Sequence, residues 1–135
     1  MLACMNANKN ILAFDTALTG CNVALVTASE RRISRQVETQ RDQAKLLVPM
    51  IQEVLEEGAL GFDELDLIVA TQGPGSFTGL RLGLATARAL GVALNKPVMG
   101  INCFDFVHAH YRTAGYKQAL LVILETKRQD FYAQS

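Results

Sequence analysis

The sequence has 135 residues with 13 basic and 13 acidic side chains, so its formal net charge is zero. Hydrophobic residues make up 50% and charged ones 19%, a globular composition with enough apolar residues for one domain core. Neutrality argues against a large electrostatic grip on nucleic acid or an anionic membrane.

Residues 1–9 read as a leader, too short in apolar residues for a signal segment. Ile11-Leu12-Ala13-Phe14 reads as a short buried strand ending at Asp15-Thr16-Ala17, and Gly20 marks a turn. Cys21 to Thr27 reads as a second strand, Ala28 to Arg31 as a hairpin turn, and Ile33 to Thr39 as a third strand at an edge. Loops this short require antiparallel pairing. From Asp42 to Glu57, Leu47, Met50, Ile51, Val54 and Leu55 recur at helical spacing, and Pro49 predicts irregular first turns. Leu46 and Val48 fall off that apolar face. Leu67 to Ala70 reads as a fourth strand and Val98 to Ile101 as a fifth. Between them runs a long apolar helix, stopped by Asn95-Lys96-Pro97. Phe104 to Arg112 reads as a third helix, Ala119 to Leu124 as a strand, and Asp130-Phe131-Tyr132 as the start of another. No apolar run is read as approaching the ~18 residues of a membrane span.

The most informative stretch is Gly73-Pro74-Gly75-Ser76-Phe77-Thr78-Gly79-Leu80-Arg81, a Gly-rich turn from strand to helix. Ser76 or Thr78 can cap the helix. The same geometry presents free N–H groups and a positive dipole end, so a tight turn and an anion cradle are both open readings. The Lys-Ser/Thr of a P-loop is missing. In the helix that follows, Gly79, Gly83, Ala87 and Gly91 recur every fourth residue as one smooth stripe, which suits close approach by another backbone. Only Arg81, Thr86 and Arg88 are polar, so the helix is expected to be covered on more than one side.

This motif, continued by Leu82-Gly83-Leu84-Ala85-Thr86-Ala87-Arg88-Ala89-Leu90, resembles the hallmark of the TsaB (YeaZ) family. Ile11 to Thr16 resembles the family's opening strand, Leu46 to Ile51 its first helix with the odd proline, and Leu124 to Tyr132 the segment opening its second lobe. In many members a His stands where this chain has Gln43, and Asp-Ala-Arg where it has Glu125-Thr126-Lys127. The resemblance implies an α/β fold: the ribonuclease-H-like lobe of actin, sugar kinases and heat-shock-protein ATPases, with a mixed five-stranded sheet. Residues 10–115 would form this lobe and residues 116–135 the start of a second, truncated lobe.

The resemblance implies a non-catalytic subunit in the synthesis of threonylcarbamoyladenosine in tRNA, working in the cytoplasm. Its partners would be the catalytic TsaD (YgjD) subunit, a TsaE-type ATPase, or a second copy. The implied interface lies on the two long helices, at Leu46, Met50, Gly79, Gly83, Ala87 and Gly91. The alternative is a nucleotide-binding or phosphotransfer domain using Asp15, Thr16, Gly73, Gly75, Ser76 and Thr78. Here Ala17 stands where the superfamily's first phosphate loop carries Gly, and a side chain there would crowd a phosphate. The expectation is therefore no cofactor, with ATP or ADP held only within a complex, and no metal. Asp15 reads equally as a strand-end residue capping its own turn. Cys4, Cys21 and Cys103 form no CxxC pair, so neither a zinc site nor a disulfide framework is expected. His108 and His110, two apart on a helix, diverge and are not expected to share a metal. Arg31, Arg32 and Arg35 form a small basic cluster that would protect an edge strand.

Overall fold

Short runs of apolar residues, each bounded by turn residues, become the strands of one sheet. The computed structural model describes residues 8–125 and 131–134. Strands β1 (Ile11–Asp15), β2 (Cys21–Val26) and β3 (Arg32–Val37) form an antiparallel meander. Helix α1 (Gln43–Glu57) and a single 3-10 turn (Phe62–Glu64) lead to β4 (Leu67–Gly73), which pairs parallel with β1. Helix α2 (Phe77–Leu94) returns the chain to β5 (Val98–Asn102), parallel to β4. The five-stranded order is β3-β2-β1-β4-β5. Helix α3 (Cys103–Thr113) follows, then a separate antiparallel pair, β6 (Val122–Glu125) and β7 (Phe131–Gln134). This α/β arrangement is the ribonuclease-H-like lobe expected from the sequence. Residues 1–7 of the expected leader, and residues 126–130 of the segment compared with a second lobe, lie outside the described residues.

The alternation of side chains along each strand decides which face each helix covers. Leu12 and Phe14 of β1, Val23 and Leu25 of β2, Ile33 of β3, and Ile68 and Ala70 of β4 share a buried core. Helix α1 closes it with Leu47, Met50, Ile51, Val54 and Leu55. The opposite face holds a smaller cluster of Ile11, Leu67 and Val69, with Ala13 and Ile101 against it. Helix α1 runs unbroken through Pro49, so the expected irregular first turns are absent; Pro49 lies on the exposed side.

Edge strand β3 is tied to α1 by charge. Arg35 bonds Glu57 and lies 3.5 Å from Glu53, and Arg31 donates to the Glu57 carbonyl at 2.9 Å. The Arg35 hydrogen bond holds the Glu57 carboxyl below its ordinary range. Arg31 and Arg35 of the arginine cluster thus fasten a helix to the edge strand.

Helix α2 seats itself by its small residues. Gly79, Gly83, Ala87 and Gly91 are its four buried positions. A methyl group at Gly79 would collide with the Thr16 carbonyl, and one at Gly83 would stand 2.8 Å from the Thr16 hydroxyl. At Gly91 it would meet the Val98 side chain. The stripe expected to receive a partner is therefore occupied within the chain. Met50 is buried in the core and so is not free for a partner, while Leu46 is only partly buried at the core's margin. The sequence shows that something must approach the stripe, but not that it is the chain's own β1–β2 loop.

A second expectation also changes. Helix α2 has 18 residues and a mean hydropathy of 1.2, long and apolar enough by length and composition to cross a membrane. Arg81 and Arg88 do not bring the average below that level. A spanning helix would, however, have to place both exposed guanidinium groups in hydrocarbon.

Two outcomes follow from this packing. Gly83→Leu and Ala87→Leu are each expected to lower stability by roughly 1–3 kcal/mol or more through overpacking, read by urea unfolding. Ala85→Leu, on the exposed side, should stay within about 0.5 kcal/mol of the parent. Glu57→Gln should lower Tm at neutral pH. Because the folded carboxyl titrates below its unfolded value, that difference should close as pH falls through the carboxylate range. A difference unchanged at acid pH would show that the ion pair is not its source.

Candidate functional site

The residues singled out for anion or nucleotide binding do meet in space, where β1 ends beside the Gly-rich loop. Parallel pairing of β1 and β4 brings Asp15 next to Thr71, and antiparallel pairing sets it opposite Asn22. Asp15 is 5% exposed. Its Oδ1 accepts from the Thr71 hydroxyl at 2.5 Å and the Ala17 N–H at 3.0 Å, and the Asn22 amide reaches Oδ2 at 3.4 Å. The carboxylate therefore ties β2 and β4 to the end of β1, and closes its own turn.

Thr16 faces the other way. It is 1% exposed, and its hydroxyl donates to the Gly79 carbonyl at 2.6 Å inside the first turn of α2. Ser76 caps the helix: its hydroxyl accepts from the Gly79 N–H at 3.3 Å. The Ser76 N–H donates to the Ala17 carbonyl at 2.7 Å, and the Leu80 N–H to the Ser76 carbonyl at 2.8 Å. A methyl added at Gly75 would stand 2.6 Å from that Ala17 oxygen. The loop thus lies directly on the β1–β2 turn, and the N–H groups of Ser76 and Gly79 are already bonded within the chain. Gly73, in a cis peptide with Pro74, has φ of +111°. Thr78 is exposed on the first turn. The loop is thus a tight turn capped by Ser76.

Cys21 and Cys103 lie buried nearby as free thiols. Burial, with a smaller push from the Asp15 carboxylate, raises both above the ordinary thiol range. Such thiols make poor nucleophiles at neutral pH. Cys4 lies outside the described residues. His108 accepts from Arg112 at 3.2 Å, and His110 stacks edge-on with Tyr111. Among the described residues, no three His, Cys, Asp or Glu side chains converge as a metal site.

What the chain presents outward is the other side of α2. Phe77 is 67% exposed and Val92 84%, and Arg81, Ala85, Arg88 and Ala89 lie exposed between them. Only four of the helix's 18 residues, all Gly or Ala, are buried. The Arg81 guanidinium rests 3.9 Å above the Phe77 ring. Val48 of α1 adds a further exposed apolar side chain at 48%. The signal was present in the sequence: positions 77, 81, 85, 88 and 92 follow helical spacing, rotated away from the glycine stripe. A groove of about 180 Å³ crosses the sheet face opposite α1 and α2, lined by Ala13, Ala24, Val69, Ile101 and Phe106.

The Asp15 network is open to a direct check. Asp15→Ala strands the Ala17 N–H and the Thr71 hydroxyl, and is expected to cost on the order of 3 kcal/mol of stability. Asp15→Asn keeps the accepting oxygen and should retain most of that stability. Equal urea midpoints for Asp15→Ala and the parent would contradict the bracing role.

Comparison with known proteins adds the wider setting. The model of the TsaD family, described as tRNA N6-adenosine threonylcarbamoyltransferase, matches residues 29–135. A TsaB biosynthesis protein of Buchnera aphidicola subsp. Baizongia pistaciae is 37% identical over 89 residues, covering 66% of this chain and 40% of the relative. The TsaB protein of Haemophilus influenzae is 37% identical over 95 residues, covering 70% of this chain and 40% of the relative. The solved structure of YeaZ from Pseudomonas aeruginosa superposes with a TM-score of 0.84 at 28% identity, covering 93% of this chain and 58% of that one. The chain thus spans between two-fifths and three-fifths of the length of these proteins. With its sheet order, its seated glycine helix and these likenesses together, the chain belongs to the TsaD family, on its TsaB (YeaZ) branch.

Proposed function

We propose that this chain is a non-catalytic partner subunit in the biosynthesis of threonylcarbamoyladenosine in tRNA, acting in the cytoplasm. The activity belongs to the catalytic TsaD subunit, and this chain pairs with it through the outward side of α2 and the neighbouring side of α1. A TsaE-type ATPase completes the assembly. The observation that carries this reading is the exposure of α2, an 18-residue apolar helix whose only buried positions are Gly79, Gly83, Ala87 and Gly91, with Phe77 and Val92 on the outside. Contiguous exposed apolar surface of this kind marks an interaction site. The names of the TsaB relatives supply the pathway.

The polar cluster at Asp15 supports a non-catalytic role. Its carboxylate, the Thr16 hydroxyl and the Ser76 N–H all bond within the chain. On this reading the isolated chain takes no nucleotide cofactor, and ATP or ADP is held only within the complex.

The pairing surface is tested at its most exposed apolar position. Val92→Asp should leave the thermal unfolding midpoint unchanged. It should abolish the complex with the threonylcarbamoyltransferase subunit in light scattering after size exclusion. Retention of the parent's complex by this variant would refute the assigned surface.

A further inference from the structure

The groove on the sheet face opposite α1 and α2 is shaped by strand register. Ala13 stands opposite Ala24, and Ala24 opposite Ser34, so three small residues form one row across β1, β2 and β3. Phe106 of α3, half exposed, lines the same groove beside Val69. The next row of the register brings Asp15, Asn22 and Gln36 to its polar end. The volume is about 180 Å³. A cavity of roughly 150 Å³ accepts one benzene ring, so this groove suits a single ring or a short chain. A helix, about 10 Å across, is too large for it.

The polar end offers acceptors. Asp15 Oδ1 takes the Thr71 hydroxyl and the Ala17 N–H, and this oxygen provides most of the brace. Among the described residues, Oδ2 receives the Asn22 amide alone, at 3.4 Å. That is longer than the usual ~2.7–3.2 Å of an N–H···O bond. The Asn22 NH2 group is divided between this oxygen and the Thr19 carbonyl, which leaves the Asn22 side-chain oxygen as a second acceptor. Among the described residues, Asp15 forms no ion pair. Arg35 is the one cationic residue lining the groove, and its guanidinium turns to Glu53 and Glu57 of α1. A carboxylate buried to this degree costs free energy until a cation or further donors meet it.

We propose that this groove binds a small organic cation, an ammonium group carried on a single ring or a short apolar chain. The apolar body lies on Ala13 and Ala24 against Phe106. The ammonium donates to Asp15 Oδ2 and to the Asn22 side-chain oxygen. An anion is disfavoured, because the nearest groups are a carboxylate and a carbonyl oxygen. The groove and the outward side of α2 lie on opposite sides of the sheet, so the site does not depend on the pairing surface.

The full chain is titrated with 2-phenylethylammonium chloride and with 2-phenylethanol, its neutral match. Calorimetry gives the affinities, and NMR follows the Asn22 side-chain amide. The variants are Asp15→Asn, which keeps the accepting oxygen of the brace, and Ala24→Leu, which fills the floor of the groove. Each is first checked for its urea midpoint. The parent should bind the ammonium probe with a Kd of ~1 mM or tighter, at least about fivefold more tightly than the alcohol. Asp15→Asn should weaken the ammonium probe about tenfold and leave the alcohol within about twofold. Ala24→Leu should remove binding of both. Equal affinity of the parent and Asp15→Asn for the ammonium probe would overturn the role of the carboxylate. Unchanged binding by folded Ala24→Leu would overturn the groove. Should that variant fail to fold, probe-induced shifts in the parent that avoid Ala13, Ala24 and Asn22 would do the same. No binding by the parent at ~10 mM probe would overturn the proposal outright. Displacement of the probe by equimolar magnesium chloride would assign Asp15 to an inorganic cation and overturn it equally.

Discussion

The architecture depends on how closely α2 approaches the end of β1. The Thr16 carbonyl occupies the place that a side chain at Gly79 would fill, and the Thr16 hydroxyl bonds the Gly79 carbonyl from the same direction. Gly83 continues the contact to that hydroxyl, and Gly91 admits Val98. A helix with larger residues on this side would stand further off the sheet. The Ser76 N–H would then lose the Ala17 carbonyl, and the loop would part from the β1–β2 turn. Each Gly in the helix sacrifices roughly 1 kcal/mol relative to Ala. That sacrifice is offset by close backbone packing and by the hydrogen bonds that become possible at short range.

This contact has a consequence on the far side of the helix. Ordinary amphipathic helices bury their large apolar residues and expose polar ones. Here the buried line is Gly and Ala, while Leu80, Leu82, Leu84, Leu90 and Leu94 are half-buried along its flanks. Phe77 and Val92 are left on the outside. On the reading proposed above, a partner surface accounts for them. The same stripe that seats the helix therefore turns an apolar face toward solvent.

Much of the architecture was legible from short-range patterns. Strand runs, the helical spacing of Leu47 to Leu55 and the stop at Asn95 are local signals, and they survive in the structure. Short loops dictated the antiparallel meander, and the β3 edge followed from its alternation. The site was legible only in part. Asp15, Thr16 and Ser76 were correctly grouped, because the ends of β1 and β4 lie side by side in this sheet. Their local bonds were legible, Asp15 closing its own turn and Ser76 capping α2, but the distant partners were not, because Thr71 and Gly79 stand 56 and 63 residues away in the chain. The stripe misled for a similar reason. Small residues announce a close neighbour without naming it, and a tertiary contact with the β1–β2 loop has no signature near residue 79.

The Asp15 corner braces the ends of β1, β2 and β4. In the ATPases that this lobe resembles, an Asp at the end of the first strand works beside a glycine-rich turn. Here Ala17 occupies that turn, buried to 2% exposure, with its methyl against Gly75 and its carbonyl bonded to the Ser76 N–H. The Ser76 and Gly79 N–H groups bond within the chain. Asp15 keeps its position but spends its oxygens on Ala17, Thr71 and Asn22. A corner bonded in this way is rigid, and rigidity there fixes the first turn of α2. The direction in which Phe77 and Arg81 project is then set by Thr16, Ala17 and Ser76. The corner thus gives α2 a firmly oriented first turn.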